Sequence, residues 1–401
     1  MRGLARHEGA PLEALRGAAR RAMENLVSLA ISEGVEFVVI AGDLYDGDRD
    51  DYNTAVFLQR QLRVLGEAGI DVVIALGNHD AANEITKRLK LPSNVRVFSH
   101  QQPESIILEA AGVALHGQSY ASRAVVEDLS ANYPAAIANY LNVGVLHTSL
   151  NGRPNHERYA PCTADELADR GYDYWALGHV HQREVLKRQS SYLVFPGNLQ
   201  GRDVGETGSK GATLVEYSLS GIQELRHVEL APIRWEVVEV DLGASSSVDD
   251  VIVAASLALA ERSEATSAEL LAARLEISAH TKLAEAWSRD APRHEAQLRA
   301  DANGASESLW IEKIKLKVVA GRSFAHEGEA IEAIRNAIAA LRAQPSDSGE
   351  FSAIFAPLRA KLGSEFEEIM RLSDGVLDPN GAGALLDDVE SLLFGELEGP
   401  L

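Results

Sequence analysis

The chain reads as a mixed α/β protein with two sheets in its first ~230 residues, followed by a small separate α/β domain and a helical C-terminal region. Three observations predict this. Stretches of helical apolar spacing alternate with short apolar runs, and each early run ends in a polar cluster. Past residue 182 the pattern changes to short β-rich segments separated by Gly- or Pro-containing turns. After Leu242 the composition shifts to Ala, Ser and Glu.

Taken in order, residues 13–32 carry Leu15, Ala19, Met23, Leu26, Leu29 and Ala30 at helical spacing, and residues 35–41 form an apolar run ending at Gly42. The same beat repeats as a helix over 54–68 and a strand over 70–76 ending at Gly77. Further buried strands are expected over 141–146 and 174–177, and β segments over 192–195, 212–217, 222–230 and 235–240. A helix over 247–261 and strands over 270–277 and 310–319 make up the small domain. Helices are expected from 327 onward, interrupted by a linker at 344–349. The domain limits follow as 1–232, 233–322 and 323–401.

Composition removes several function classes. The 401 residues carry 38 Lys and Arg against 59 Asp and Glu, a net charge of -21, which argues against tracking nucleic acid along a broad basic face. A nuclease whose cations are bound metals stays compatible with it. The single cysteine, Cys162, can form neither an internal disulfide nor a thiolate-rich zinc site. No apolar run approaches the ~20 residues of a membrane span, and residues 1–30 lack the pattern of a signal peptide, so a cytoplasmic location without membrane attachment is expected.

Four polar clusters follow predicted strands. They are Gly42-Asp43-Leu44-Tyr45-Asp46, Gly77-Asn78-His79-Asp80, His147, and Gly178-His179-Val180-His181. A carboxylate, an amide oxygen and several imidazoles gathered at strand ends form a mixed oxygen and nitrogen ligand set, suited to divalent Mn, Fe or Zn. Each cluster alone is an ordinary turn; their order and their common position after strands point to one metal site. The remaining histidines, among them His116 and His227, fit no such pattern and are read as structural or surface residues.

This constellation resembles the metallophosphoesterase, or calcineurin-like phosphoesterase, superfamily, whose motifs run Asp-x-His, Gly-Asp-x-x-Asp, Gly-Asn-His-Asp/Glu, His and Gly-His-x-His. The last four match Asp43/Asp46, Asn78/His79/Asp80, His147 and His179/His181. Residues 41–52, 116–120, 172–184 and 195–202 are similar to the DNA-repair exonuclease branch, nearest to YhaO-type relatives of the SbcD nuclease subunit. The resemblance implies two sheets packed between helices, a capping domain beyond them, and a dinuclear manganese site at the strand ends. By it, Asp43 bridges two metals, Asn78, His147 and His179 complete one, and His181 belongs to the other. His79 protonates the leaving oxygen or stabilises the phosphorane charge, and Asp46 orients its ring. Arg202, in the loop 197–202, is either a phosphate grip or a solvated surface arginine.

The family's Asp-x-His does not occur before Asp43, and residues 1–7 resemble what normally follows it. The expectation is that the natural start lies upstream and that the sequence is an abbreviated gene model. One metal would then keep only Asp43 and His181, so a single tightly bound metal and weak or no two-metal hydrolysis are expected.

Downstream, Lys313, Lys315 and Lys317 alternate with Ile314, Leu316 and Val318, which places three ammonium groups on one face of a strand. They form either a phosphate-facing stripe or an edge strand that uses lysine to block aggregation. The apolar stripes of the tail, such as Phe351, Ile354, Phe355 and Leu358, pack on the chain's own core or on a partner. The resemblance implies DNA ends or single strands as substrate, docking to a coiled-coil ATPase of the SbcC class or its YhaN-type counterpart, and a homodimer. Two other readings stand beside DNA exonuclease: a small-molecule or nucleotide phosphoesterase, and a non-catalytic scaffold for the ATPase.

Overall fold

A computed structural model describes residues 11–44, 52–82, 90–150, 160–218, 220–241, 247–306 and 308–319. Asp46 and the expected tail helices lie outside the described residues. All described residues belong to one compact unit, Met1–Val319.

The first helix, α1 (Leu12–Ser32), buries Leu15, Ala18, Ala22, Met23, Val27 and Ala30, a stripe at three- and four-residue spacing. It leads into β1 (Phe37–Ile40), α2 (Tyr52–Glu67), β2 (Asp71–Ile74), the short α3 (Asn78–Ala82) and β3 (Val95–Val97). These three strands form a parallel sheet in the order β1-β2-β3. The second sheet has six strands: β4 (Glu104–Leu108), β5 (Val113–Gly117), β6 (Leu141–His147), β7 (Tyr174–Gly178), β8 (Glu184–Arg188) and β9 (Ser191–Phe195). Its order is β4-β5-β6-β7-β9-β8, parallel through the centre with antiparallel edges. Every residue of β5 and β6 is buried, which is why the segment 141–147 reads as a nearly unbroken apolar run.

The two sheets face each other. Val73, Ala75 and the partly buried Phe37 and Val39 of the first sheet share one core with Leu115, Val143, Val145 and Val194 of the second. The outer face of the first sheet is covered by Met23 and Val27 of α1 and Leu58, Leu62 and Leu65 of α2. The outer face of the second is covered by Leu167 of α4 (Ala164–Ala168) together with Tyr133, Leu150 and Tyr172. Helices, two sheets and helices therefore stack in layers, the arrangement the resemblance implies. The antiparallel ribbon β10 (Gly211–Ser218) and β11 (Gly221–Glu229) adds Val215, Tyr217, Ile222 and Leu225 to the inter-sheet core.

The last described part is a parallel three-stranded sheet, β12 (Ile233–Asp241), β13 (Leu270–His280) and β14 (Leu309–Val319). One face is covered by α5 (Val248–Glu264), α6 (Thr281–Ser288) and α7 (Ala291–Ala305). On the other face, Ile233, Trp235, Leu270, Ala272 and Trp310 pack against Leu15 and Ala18 of α1. Helix α5 starts at Ser247 with a reciprocal cap, in which Ser247 and Asp250 each bond the other's backbone N–H.

Candidate metal centre

The parallel strands of both sheets point their carboxyl ends to one place, and each of four predicted ligands follows from that. Asp43 comes just after β1, Asn78 opens α3 after β2, His147 ends β6, and His179 follows β7. The ligand-capable atoms of Asp43, His147 and His179 lie within 4.8 Å of one another. Asn78 Oδ1 stands 2.9 Å from His147 Nε2, and Asp43 Oδ2 is 3.6 Å from the same nitrogen. Donors about 2.0–2.2 Å from one ion stand roughly 3–4 Å apart, so these spacings fit a shared cation.

The electrostatics fit as well. His147 is fully buried, and burial holds its pKa below the ordinary value although the Asp43 charge pulls the other way. Burial thus favours the neutral ring. Its Nδ1–H donates to the Ala41 carbonyl at 2.9 Å, which leaves Nε2 with a lone pair aimed at the Asn78 amide oxygen. Asp43 Oδ1 is buried and has no hydrogen-bond partner among the described residues. Lone pairs thus converge on lone pairs, an arrangement that is costly unless a cation sits between them.

The backbone is shaped to allow this convergence. Asp43 (φ 55) and His179 (φ 94) both sit in the left-handed region, where non-glycine residues are strained. Gly77 permits the close approach of Asp43 to His147: a Cβ there would fall 2.7 Å from Asp43 Oδ1 and 2.7 Å from His147 Cε1. Gly178 lets the two sheets touch at the site, since its Cβ would fall 1.8 Å from the Ala41 carbonyl oxygen.

The other predicted residues are placed as follows. His79 is half-buried on α3; its Nδ1 is buried without a hydrogen-bond partner among the described residues, and its charge is felt by His147. Its expected partner Asp46 lies outside the described residues. His181 lies outside the Asp43, His147 and His179 group. Its Nδ1 is 2.7 Å from Glu206 Oε1. Arg202 is bound to the same carboxylate, with Nη2 at 2.7 Å from Oε1, and no substrate is needed to account for its position. Lys315 and Lys317 both pair with Glu276 on β13, and Lys313 stands across from Arg274. Two of the three ammonium groups read from the sequence thus share one carboxylate on the neighbouring strand. Asp80 is buried and accepts the Gly77 N–H, which shapes the loop that carries Asn78.

Sequence reasoning missed Glu206, Asn198 and the buried Lys210. Glu206 gathers His181, Arg202 and Asn198, whereas Lys210 Nζ donates to the His181 carbonyl at 2.9 Å. Burial alone would raise the Glu206 carboxyl; the hydrogen bonds from His181 and Arg202 and the Arg202 charge outweigh it and hold it well below the carboxylate range. A carboxylate 25 residues beyond its histidine carries no local motif, and only its place in the folded loop reveals it. His116 is a structural residue, with Ser105 on Nδ1 and Asn142 on Nε2. Cys162 is a neutral buried thiol, its pKa pushed up to about 12 by burial.

Comparison with known proteins agrees with the geometry. The calcineurin-like phosphoesterase family pattern matches residues 16–183, and the middle-domain pattern of metallophosphoesterase YhaO matches residues 235–319. The chain is 35% identical over 223 residues to the uncharacterized metallophosphoesterase YhaO of Bacillus subtilis, covering 55% of this chain and 54% of that protein. It is 29% identical over 240 residues to the DNA double-strand break repair protein Mre11 of Methanopyrus kandleri, with 51% of each chain covered. Against the Mre11 protein of Sulfurisphaera tokodaii the identity is 25% over 205 residues, 48% of this chain and 52% of that one. The chain spans about half the length of these relatives. Among the described residues, no helix is long and apolar enough to cross a membrane.

Proposed function

We propose, from the premise that this chain belongs to the calcineurin-like phosphoesterase family, that it hydrolyses phosphodiester bonds of DNA, at ends or in single strands, with manganese as its divalent ion. The observation that carries this reading is the convergence of Asp43, Asn78, His147 and His179 at the ends of four strands. The Mre11 relatives, named for DNA double-strand break repair, support DNA as the substrate class.

A divalent ion bound there lowers the pKa of a water and offsets charge on the phosphoryl oxygens. The chain's residues do the rest. Asp43 and Asn78 supply oxygen ligands, His147 and His179 supply nitrogens, and the Ala41 carbonyl fixes the His147 ring in the tautomer that presents Nε2. His79, half-buried beside this group, donates a proton to the leaving oxygen, with Asp46 orienting it. A coiled-coil ATPase of the SbcC class, or its YhaN-type counterpart, is the partner this reading implies.

The test is cleavage of end-labelled single-stranded and duplex DNA with manganese chloride, set beside hydrolysis of bis-p-nitrophenyl phosphate. Asp43→Asn and His147→Ala should each lower both rates by on the order of 10²–10³-fold, the equivalent of several kcal/mol of charge stabilisation. Turnover of the small diester without any DNA cleavage would move the substrate to a small phosphodiester. DNA cleavage indifferent to both substitutions would remove the proposed site altogether.

A further inference from the structure

The described unit holds a second set of polar contacts beside the candidate metal centre, and its members come from the loops on either side of β8 and β9. Glu206 Oε1 is 2.7 Å from His181 Nδ1. The same carboxylate takes Arg202 Nε and Nη2 on Oε1, at 2.9 and 2.7 Å. Its Oε2 takes the Arg202 backbone N–H at 2.9 Å and Asn198 Nδ2 at 2.8 Å. From the opposite side, Lys210 Nζ donates to the His181 carbonyl at 2.9 Å, and Lys210 is only 3% exposed.

We propose that Glu206 is a positioning residue that fixes the tautomer and orientation of His181, and that Arg202 serves by clamping Glu206 rather than by gripping substrate. The inference rests on the reading of this centre as a metal-dependent phosphodiesterase in which His181 holds a second ion beside Asp43, as the family resemblance implies.

The tautomer follows from contact geometry. An anionic oxygen 2.7 Å from a bare ring nitrogen would set lone pair against lone pair, so Nδ1 carries the hydrogen and donates it to Glu206. Arg202 Nη2 lies 3.3 Å from that nitrogen but 2.7 Å from Oε1, so its hydrogen goes to the carboxylate. In the neutral ring this leaves the lone pair on Nε2, the state a metal-binding imidazole requires. Five N–H donors on two oxygens use up the acceptor capacity of Glu206. A carboxylate so held cannot rotate away from the ring, and the Lys210 bond keeps the His181 backbone from shifting with it. The Arg202 side chain is 46% exposed, which explains why the sequence offers it as a surface cation; its three contacts with Glu206 assign it otherwise.

The experiment reads the histidine ring nitrogens directly, by ¹⁵N-detected two-bond correlation on the full chain without added metal, with His181→Gln providing the assignment. Wild type should have His181 protonated on Nδ1, and Glu206→Gln should lose that preference. Manganese titrations on the same samples should show Glu206→Gln needing about 10–100-fold more manganese chloride for half-maximal hydrolysis of bis-p-nitrophenyl phosphate. Glu206→Asp, which keeps the charge, should recover part of the loss. A wild-type His181 that is neutral with its hydrogen on Nε2 overturns the proposal, whatever the variants do. So does a Glu206→Gln protein with an unchanged tautomer and manganese requirement. His147→Ala separates this result from the functional reading: if it retains full metal-dependent turnover, the centre itself is misassigned, whereas the tautomer measurement still decides the role of Glu206.

Discussion

Single atoms decide whether this centre can exist. Gly178 has no side chain because a Cβ there would overlap the Ala41 carbonyl, which is also the acceptor that sets the His147 tautomer. Gly178→Ala is therefore expected to push β1 away from β7, weaken manganese binding at least tenfold, and lower the unfolding midpoint measured by calorimetry; an unchanged midpoint with unchanged affinity would contradict the packing argument. At this scale the sequence was informative about which residues converge and silent about the groups that hold them. Asp43, Asn78, His147 and His179 could be read because each follows an apolar strand and a turn residue. Glu206, Lys210 and the Ala41 carbonyl could not, because their roles come from contacts between segments far apart in the chain, 106 residues in the case of His147 and Ala41. Arg202 and the lysines of 313–317 were visible as charges, but their acidic partners Glu206 and Glu276 were not.

Elements that bury one stripe or both faces announced themselves, and elements that lean on neighbours did not. The helix over 13–32 and the strand over 141–146 match α1 and β6 to within a residue, because their apolar spacing reflects deep burial. Strand β3 has three residues, too few to display a period, and holds its form by pairing with β2. Among its described side chains helix α7 fully buries Leu298 and Ala302, so its packing against β14 outweighs a faint pattern. The sheet β12-β13-β14 meets α1 through Trp235, whose ring lies 6.0 Å from that of Trp310 and whose Nε1 donates to the Gly201 carbonyl at 3.0 Å. Trp235→Ala should cost about 3–5 kcal/mol in chemical denaturation and release the loop that carries Arg202. A loss below about 1 kcal/mol would mean that this contact contributes little to joining the two parts.

Across the whole molecule, the layered sandwich explains why one small cluster can be assembled from residues 43 to 179. Two sheets face each other with the carboxyl ends of their parallel strands on the same side, so four connecting loops arrive at one point without any long excursion of the chain. The net charge of -21 then makes a bound cation, rather than a basic surface, the means by which this protein would meet a phosphodiester. The most direct test is a crystal soaked in manganese chloride, with anomalous differences collected at the manganese edge. The account predicts a peak within about 2.5 Å of Asp43, Asn78, His147 and His179 together. A fully soaked crystal with no peak there, or with manganese bound only elsewhere, would contradict it.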